Sequence, residues 1–351
     1  MFCCMRNALS SGTMRRQALE GVRRRLPPGW TAEEQAGERT PRFRLRGPDK
    51  RSVELPVIAR KGLVPRDVAA LVAGAKQPLI VVSSYLGART RELLSQAGAS
   101  YADATGNVRV VVSRPAIFLE GLGAERDPER TSRPLQSLRG AAAGRVVRGL
   151  VELAPPFGVR ELAAAAATPL GTVSRVVSFL ETEALLTRDE RKRIVAVDWP
   201  ALLVRWGKDY ELTKSNELLT FLEPRGLSAL WSKLERLRRY AATGSPAGPG
   251  IAATRIAMIY VDEPEDAART LGLVPAEAGA NVWLLRPYDE VVFTRTRRRA
   301  ISAGDASSEI VTVAAAQAVV DLMSSPGRGP QEAEALVEKM KENEDAWRAR
   351  S

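Results

Sequence analysis

Apolar and polar positions along this chain follow two rhythms, and the switches between them mark its elements. From Leu138 to Leu153, the residues Val146, Val147, Leu150, Val151 and Leu153 keep one helical face apolar, and Pro155-Pro156 stops the helix. A short Ala-rich helix is predicted from Val159 to Ala166. A third follows over Pro169 to Glu183, with Thr168 as its cap and Pro169 in the first turn, where a missing N–H costs nothing. On this third helix Leu170, Val173, Val177 and Leu180 form one buried stripe, which leaves Thr172, Ser174, Arg175 and Ser178 for solvent. Residues 185–187 and 194–197 then read as two short strands around a tip that carries Arg188, Arg191, Lys192 and Arg193.

Three helices, the middle one short, followed by a basic hairpin is the layout of a winged helix-turn-helix. It predicts a third helix lying in the major groove of duplex DNA, with hydroxyls on phosphates and Arg175 paired to guanine, and a hairpin whose cations meet the backbone. A plain helical hairpin followed by a strand pair used for packing or dimerisation fits the same periodicity. The basic tip favours the DNA-binding alternative.

The N-terminal third has a different pattern. A basic helix over residues 14–25 precedes two alternating segments, 42–46 and 52–60, around the turn Gly47-Pro48-Asp49-Lys50. A helix from Arg66 to Ala73, the apolar strand 78–82, a helix from Ala88 to Ala97 and a strand or hairpin over 101–110 complete an α/β layer module. Beyond the basic hairpin, helices are predicted over about Leu202 to Leu222 and Leu227 to Tyr240. Strands follow over Arg255–Val261, Asn281–Leu285 and Val291–Phe293, and a last helix runs from Pro330 to Trp347 with an acidic face. The expected organisation is α/β (α+β, multi-domain): an α/β module over 1–130, the winged helix-turn-helix over 135–200 and a second α/β domain over 201–351.

Charge and absent residue types narrow the chemistry. The 351 residues carry a formal net charge of +11, which attracts polyanions. Arg295, Arg297, Arg298 and Arg299 form the densest basic cluster, a further candidate phosphate contact. No stretch of about eighteen apolar residues occurs, and the N-terminal apolar segment is short for a signal peptide, so a cytoplasmic, nucleoid-associated protein without membrane contact is expected. There is no histidine, which excludes Ser-His-Asp, Cys-His and His-zinc chemistry. The two cysteines, Cys3 and Cys4, are adjacent and read as incidental. With no phosphate-binding glycine loop either, any catalytic site would have to combine carboxylates with a divalent metal.

The segment LIVVSSYLGARTRELLSQAGASYADATGNVRV (79–110) resembles the α/β module of AbiEi-type antitoxins and related actinobacterial winged helix-turn-helix regulators, itself similar to restriction endonucleases. Active nucleases of that fold carry Asp and Glu-x-Lys on the hairpin before the apolar strand; here Ala59 stands where the Glu would precede Lys61. Asp49 and Glu54 lie close in sequence and could in principle substitute, but Asp49 sits in a Pro-containing turn. Asp103, with Gly106-Asn107 after it, reads as a turn and strand-pairing signature, and a lone carboxylate does not make a metal site. Further along, Thr243-Gly244-Ser245 followed by the strand to Val261 resembles the C-terminal region of the same family and, distantly, a nucleotidyltransferase. Tyr260 holds the first acidic place, and only Asp262 and Glu263 follow. Gln317–Leu322, Pro326-Gly327-Arg328 and the last helix continue the likeness, which spans about residues 50–345 in three patches.

The resemblance implies a repressor of its own operon with a nucleotidyltransferase toxin as protein partner. The expectation is therefore a sequence-specific double-stranded DNA-binding regulator without catalytic residues, metal or cofactor. Its DNA-facing set is Thr168, Thr172, Ser174, Arg175, Ser178, Arg188, Arg191, Lys192, Arg193, Arg295, Arg297 and Arg298, and a toxin or a second copy of the chain are further candidate partners. The alternatives are a Mg²⁺-dependent nuclease built on the N-terminal module and an antitoxin or scaffold that acts mainly through a protein partner.

Overall fold

In the computed structural model, which describes residues 11–36, 40–74, 78–129, 137–248, 255–303 and 306–350, helices and strands mix in two seven-stranded mixed sheets. The adjacent Cys3 and Cys4 lie outside the described residues. Two compact units emerge, one of residues 1–134 with 182–184, the other of 135–181 with 185–351. Apart from residues 182–184, the segment over 135–200 and the chain after it thus belong to one unit. No single helix among the described residues is long and apolar enough to cross a membrane.

The first unit contains α1 (Ser11–Arg23), β1 (Thr31–Gln35), β2 (Arg42–Arg46), β3 (Ser52–Ala59), α2 (Pro65–Ala73), β4 (Ile80–Ser83), α3 (Ala88–Gln96), β5 (Ser100–Asp103), β6 (Val108–Ser113) and β7 (Ala116–Gly121). Its strands lie in sequence order, antiparallel from β1 to β3, parallel through β4 to β5, and antiparallel again to β7. Strand β4, Ile-Val-Val-Ser, is buried throughout because both faces are covered. Ile80 and Val82 pack with Ala18, Leu19 and Val22 of α1, whereas Val81 joins Val68 of α2 and Leu94 of α3. Strand β1 goes beyond the sequence expectation: Thr-Ala-Glu-Glu-Gln has no apolar alternation, and it is held as an edge strand by its ladder to β2 and by an ion pair from Arg15 to Glu34 at 2.6 Å.

Three carboxylates of this unit that the sequence singled out are engaged by neighbouring groups. Buried Asp103 accepts five hydrogen bonds: from the Leu86 N–H (2.9 Å), the Thr105 N–H and hydroxyl (2.9 and 2.7 Å) and the Asn107 N–H and side-chain amide (3.0 and 2.7 Å). Asp49 accepts the Arg51 N–H in its turn at 3.0 Å. Glu54 lies across β2 from Arg42 and Arg44, at 2.6 and 2.5 Å, and hydrogen bonds from Arg44 and then Arg42 hold its carboxyl below the usual range.

The second unit begins with α4 (Ala141–Glu152), β8 (Leu153–Ala154), α5 (Val159–Ala165), α6 (Leu170–Thr182), β9 (Leu186–Arg188), β10 (Ile194–Val197), α7 (Trp199–Gly207) and α8 (Leu212–Ser215). It continues with β11 (Glu217–Leu222), α9 (Leu227–Trp231), β12 (Tyr240–Thr243), β13 (Ala257–Val261), α10 (Pro264–Leu271), β14 (Val274–Pro275) and β15 (Val282–Arg286). The remaining elements are β16 (Arg297–Ala303), β17 (Ala306–Thr312), α11 (Ala315–Met323), α12 (Gly329–Glu342) and β18 (Ala349–Arg350). The large sheet runs β14-β11-β15-β13-β12-β17-β16. Alternation along β13 sorts Met258 and Tyr260 to the face covered by α7, α11 and α12, and Ala257, Ile259 and Val261 to the face covered by α9 and α10.

Several sequence expectations change here. Leu202–Leu222 is not one helix: after α7 and the single turn α8, Asn216 is extended and Glu217–Leu222 pairs with β15. Leu227–Tyr240 is a five-residue helix, a 3₁₀ turn and the start of β12. Val291–Phe293 lies in a 3₁₀ turn capped by Asp289, not a strand. Helix α12 ends at Glu342 rather than at Trp347.

Candidate nucleic-acid interface

The three helices expected of the helix-turn-helix are present as α4, α5 and α6. Val146, Val147, Leu150 and Val151 of α4 share a core with Leu162 of α5 and with Val173, Val176, Val177 and Leu180 of α6. Close approach of α4 and α5 depends on Gly149, where a Cβ would stand 2.8 Å from Leu162 Cδ1. At the start of α5 the Glu161 carboxylate accepts the Gly158 N–H at 3.1 Å, half of a capping box. Across residues 166–169 the chain turns by 116° between α5 and α6, within the range of helix-turn-helix pairs.

Helix α6 buries a stripe of Val173, Val176, Val177 and Leu180. Leu170, expected on this stripe, is instead 44% exposed, because in the first turn it overhangs the packed face. Gly171, Ser174, Arg175 and Ser178 form the opposite, exposed stripe at i, i+3, i+4 and i+7. The Arg175 guanidinium lies back along the helix, donating to the Gly171 carbonyl at 3.4 Å and the Thr172 hydroxyl at 3.3 Å. Both bonds are long and exposed, so exchanging them for a base edge costs little. Thr172, half-buried, flanks the stripe. Thr168 corrects the expectation: it is buried and its hydroxyl donates to the Ala166 carbonyl at 2.8 Å, which takes it out of any groove-facing set.

Strands β9 and β10 pair antiparallel as expected of a wing. On the other side of β10, Phe157 exchanges both backbone hydrogen bonds with Ile194 at 3.1 and 2.8 Å and anchors the hairpin to the segment before α5. The four wing cations differ in state. Arg188 is paired with Glu181, which raises its pKa further, and Arg193 bridges Asp189 at 3.0 Å. The backbone N–H and then the guanidinium of Arg193 hold the Asp189 carboxyl low. Arg191 and Lys192 are exposed, and neither side chain forms an ion pair among the described residues. The wing's free positive charge therefore sits on two residues.

The downstream arginine cluster also departs from expectation. Arg295 reaches back to α4, donating to the Glu152 carbonyl at 3.1 Å and pairing with its carboxylate at 3.4 Å. Arg297 donates to the Ala346 carbonyl at 2.8 Å, and Arg298 pairs with Glu309 across β17 at 3.1 Å. These partners lie outside the run itself, so it does not present three free cations. Arg160, exposed on α5 and without an ion pair among the described residues, joins the basic surface without having been a sequence candidate; a single Arg at the start of an Ala-rich helix is its only sequence signal.

Behind the interface runs a buried polar chain. Arg148, 1% exposed on α4, pairs with Glu152 and donates to Gln317 Oε1 at 3.3 Å and to the carbonyls of Val291 and Thr294, both at 3.2 Å. Gln317 in turn donates to Asp321 Oδ1 at 2.9 Å, and Asp321 also accepts from Tyr210, Tyr260 and Thr243 at 2.7, 3.1 and 2.5 Å. Burial pushes the Asp321 carboxyl up even against these four donors. A signal existed: Arg148 with Glu152, and Gln317 with Asp321, are i, i+4 polar pairs on otherwise apolar helix faces. The Tyr260 hydroxyl is thus committed to the core, while Asp262 is held by Arg239 at 2.9 Å and Glu263 by Arg286 at 2.7 Å.

Among the described residues no three Asp, Glu or Cys side chains come together as a metal-holding group. Comparison with protein families, with characterised proteins and with solved structures finds no match for the chain.

Proposed function

We propose that the protein is a sequence-specific double-stranded DNA-binding regulator, antitoxin-like in organisation, in which α6 enters the major groove and the β9–β10 wing rests on the phosphate backbone. The observation that carries this reading is the pairing of one exposed stripe, Ser174, Arg175 and Ser178 on α6, with an unpaired cationic tip, Arg191 and Lys192, on the adjoining hairpin. The hydroxyls and the guanidinium supply donors for base edges, and the tip supplies the salt-dependent part of the affinity. Arg160 on α5 extends the basic surface toward a neighbouring phosphate.

The first unit is read as an α/β module that retains its fold without chemistry of its own. Asp103 supports this, since an oxygen pair that already accepts five hydrogen bonds has little left to offer a metal ion. Repression and a second protein partner are part of the same proposal and follow from the family likeness.

Selection from a library of random duplexes tests the reading. One enriched motif, bound with steep salt dependence, is the expected result. Absence of any enriched motif together with no retardation of duplex DNA at low salt would overturn it. Incubating supercoiled plasmid with the protein and Mg²⁺ separates the nuclease alternative, for which nicking abolished by Asp103→Ala would be required.

A further inference from the structure

At one end of the large sheet of the second unit, a cleft of about 490 Å³ opens between the starts of β13 and β15 and the α11–α12 connection. The volume lies in the range of small-molecule sites, roughly 300–1,000 Å³. Ile256, Met258, Trp283 and Leu322 make its floor apolar, and Arg255 and Arg328 stand at its rim. Both arginines are exposed, and neither forms an ion pair among the described residues. Elsewhere in this unit Arg145, Arg205, Arg239 and Arg286 are matched to carboxylates, whereas Arg160 and Arg191, like the two at the cleft, form no ion pair among the described residues. The one carboxylate lining the cleft, Glu332, is engaged by the Ser245 hydroxyl.

At Gly329 a Cβ would meet the Leu322 carbonyl oxygen at 2.5 Å, so this glycine lets the start of α12 turn tightly against the end of α11 and leaves Arg328 at the edge. Two guanidinium groups beside an apolar floor that includes an indole form an arrangement suited to a ligand with one flat apolar part and one anionic part. Trp283 contributes aromatic area to the lining, and planar guanidinium groups suit a carboxylate.

We propose that this cleft is a binding site for a flat organic anion of about the size of a two-ring aromatic carboxylate. The full chain, without DNA, is titrated calorimetrically with 2-naphthoate, its neutral isostere 2-naphthamide, and inorganic phosphate. Saturable one-site binding of naphthoate is expected, with naphthamide weaker by about ten-fold or more, because the charge-assisted hydrogen bonds are lost. Arg255→Ala with Arg328→Ala should weaken naphthoate by a similar factor at an unchanged melting temperature, and Arg328→Glu should weaken it further. Equal affinity for naphthoate and naphthamide, phosphate binding with naphthoate silent, naphthoate binding unchanged in the double variant, or no saturable heat from naphthoate would each overturn the proposal. Because no DNA is present, the result does not depend on the proposed groove-binding role of α6.

Discussion

Arg145 holds Asp289 in a two-point grip, Nε to Oδ1 at 2.8 Å and Nη2 to Oδ2 at 2.6 Å, although 144 residues separate them. The third guanidinium nitrogen donates to the Ala167 carbonyl at 3.2 Å, in the turn between α5 and α6. Asp289 also accepts the Val291 N–H at 3.0 Å. One side chain of α4 therefore fixes the turn that aims α6 and the loop after β15 together. Such a bidentate pair specifies geometry as well as energy.

Breaking that grip should show in stability and in its pH dependence. Burial pushes the Asp289 carboxyl up, but the Arg145 hydrogen bonds, the Val291 N–H and the Arg145 charge outweigh it and hold the group below the usual carboxylate range. A carboxyl depressed in the folded state stabilises the fold above its unfolded value, near 3.9, and that stabilisation is lost as pH falls through the folded value. Asp289→Asn is expected to cost about 1–2 kcal/mol near pH 7, discounted for the partial exposure of Arg145, with the gap to wild type closing below about pH 4. Urea midpoints from pH 3 to 7 check this; a gap independent of pH would contradict the assignment.

At the groove face, Arg175→Ala should weaken the selected site by about 1–3 kcal/mol while leaving binding to unrelated duplex nearly unchanged. Fluorescence anisotropy on both duplexes reads the two affinities. Equal losses on every sequence would reassign Arg175 to phosphate contact.

The wing gives a graded test. Neutralising Arg191 and Lys192 together should reduce the slope of log affinity against log salt by about two units, roughly 0.9 for each phosphate that no longer meets a cation. Arg188→Gln, whose partner Glu181 already holds it, should change the slope much less. If Arg188 carried the larger share, the free charge would have been placed on the wrong residues.

Much of the α4–α5–α6 arrangement was legible because local signals agree with the packing. Gly158 and Thr168-Pro169 punctuate α5 and α6 to within a residue or two, and the valine stripe of α6 is buried apart from Leu170. Where the sequence misled, a neighbour distant along the chain decided the outcome. The run Leu-Leu-Thr-Phe-Leu in β11 has apolar residues enough to extend a helix, yet the open edge of β15 takes it as a strand. The β16–β17 hairpin is masked by its arginines, whose partners are the Ala346 carbonyl and Glu309 rather than phosphates. The rim of the cleft was invisible for the same reason, since Arg255 and Arg328 are 73 residues apart.

Asp321 offers a prediction about the core. Removing its carboxylate takes the shared acceptor from the hydroxyls of Tyr210, Tyr260 and Thr243 and from the Gln317 amide, and the contacts that remain, Gln317 to the Tyr210 hydroxyl at 3.3 Å and Tyr210 to Tyr260 at 3.0 Å, do not satisfy all four donors. Asp321→Ala should therefore destabilise the second unit by about 3 kcal/mol or more, since each orphaned buried donor costs roughly 1–3 kcal/mol before repacking. Thermal unfolding with a probe in that unit reads it, and a loss below about 1 kcal/mol would mean the four donors find other partners.

The core that seats α4 and α6 has a consequence for how the protein is made. It includes Val319 of α11 and Leu336 and Met340 of α12, and Leu153 pairs in parallel with Ala349. During synthesis the seven strands of the first sheet are all available once β7 has emerged, whereas α4 and α6 must wait for a stretch nearly two hundred residues downstream of α4. A nascent chain that has not yet made α11 and α12 thus carries α4, α5 and α6 without the floor they rest on.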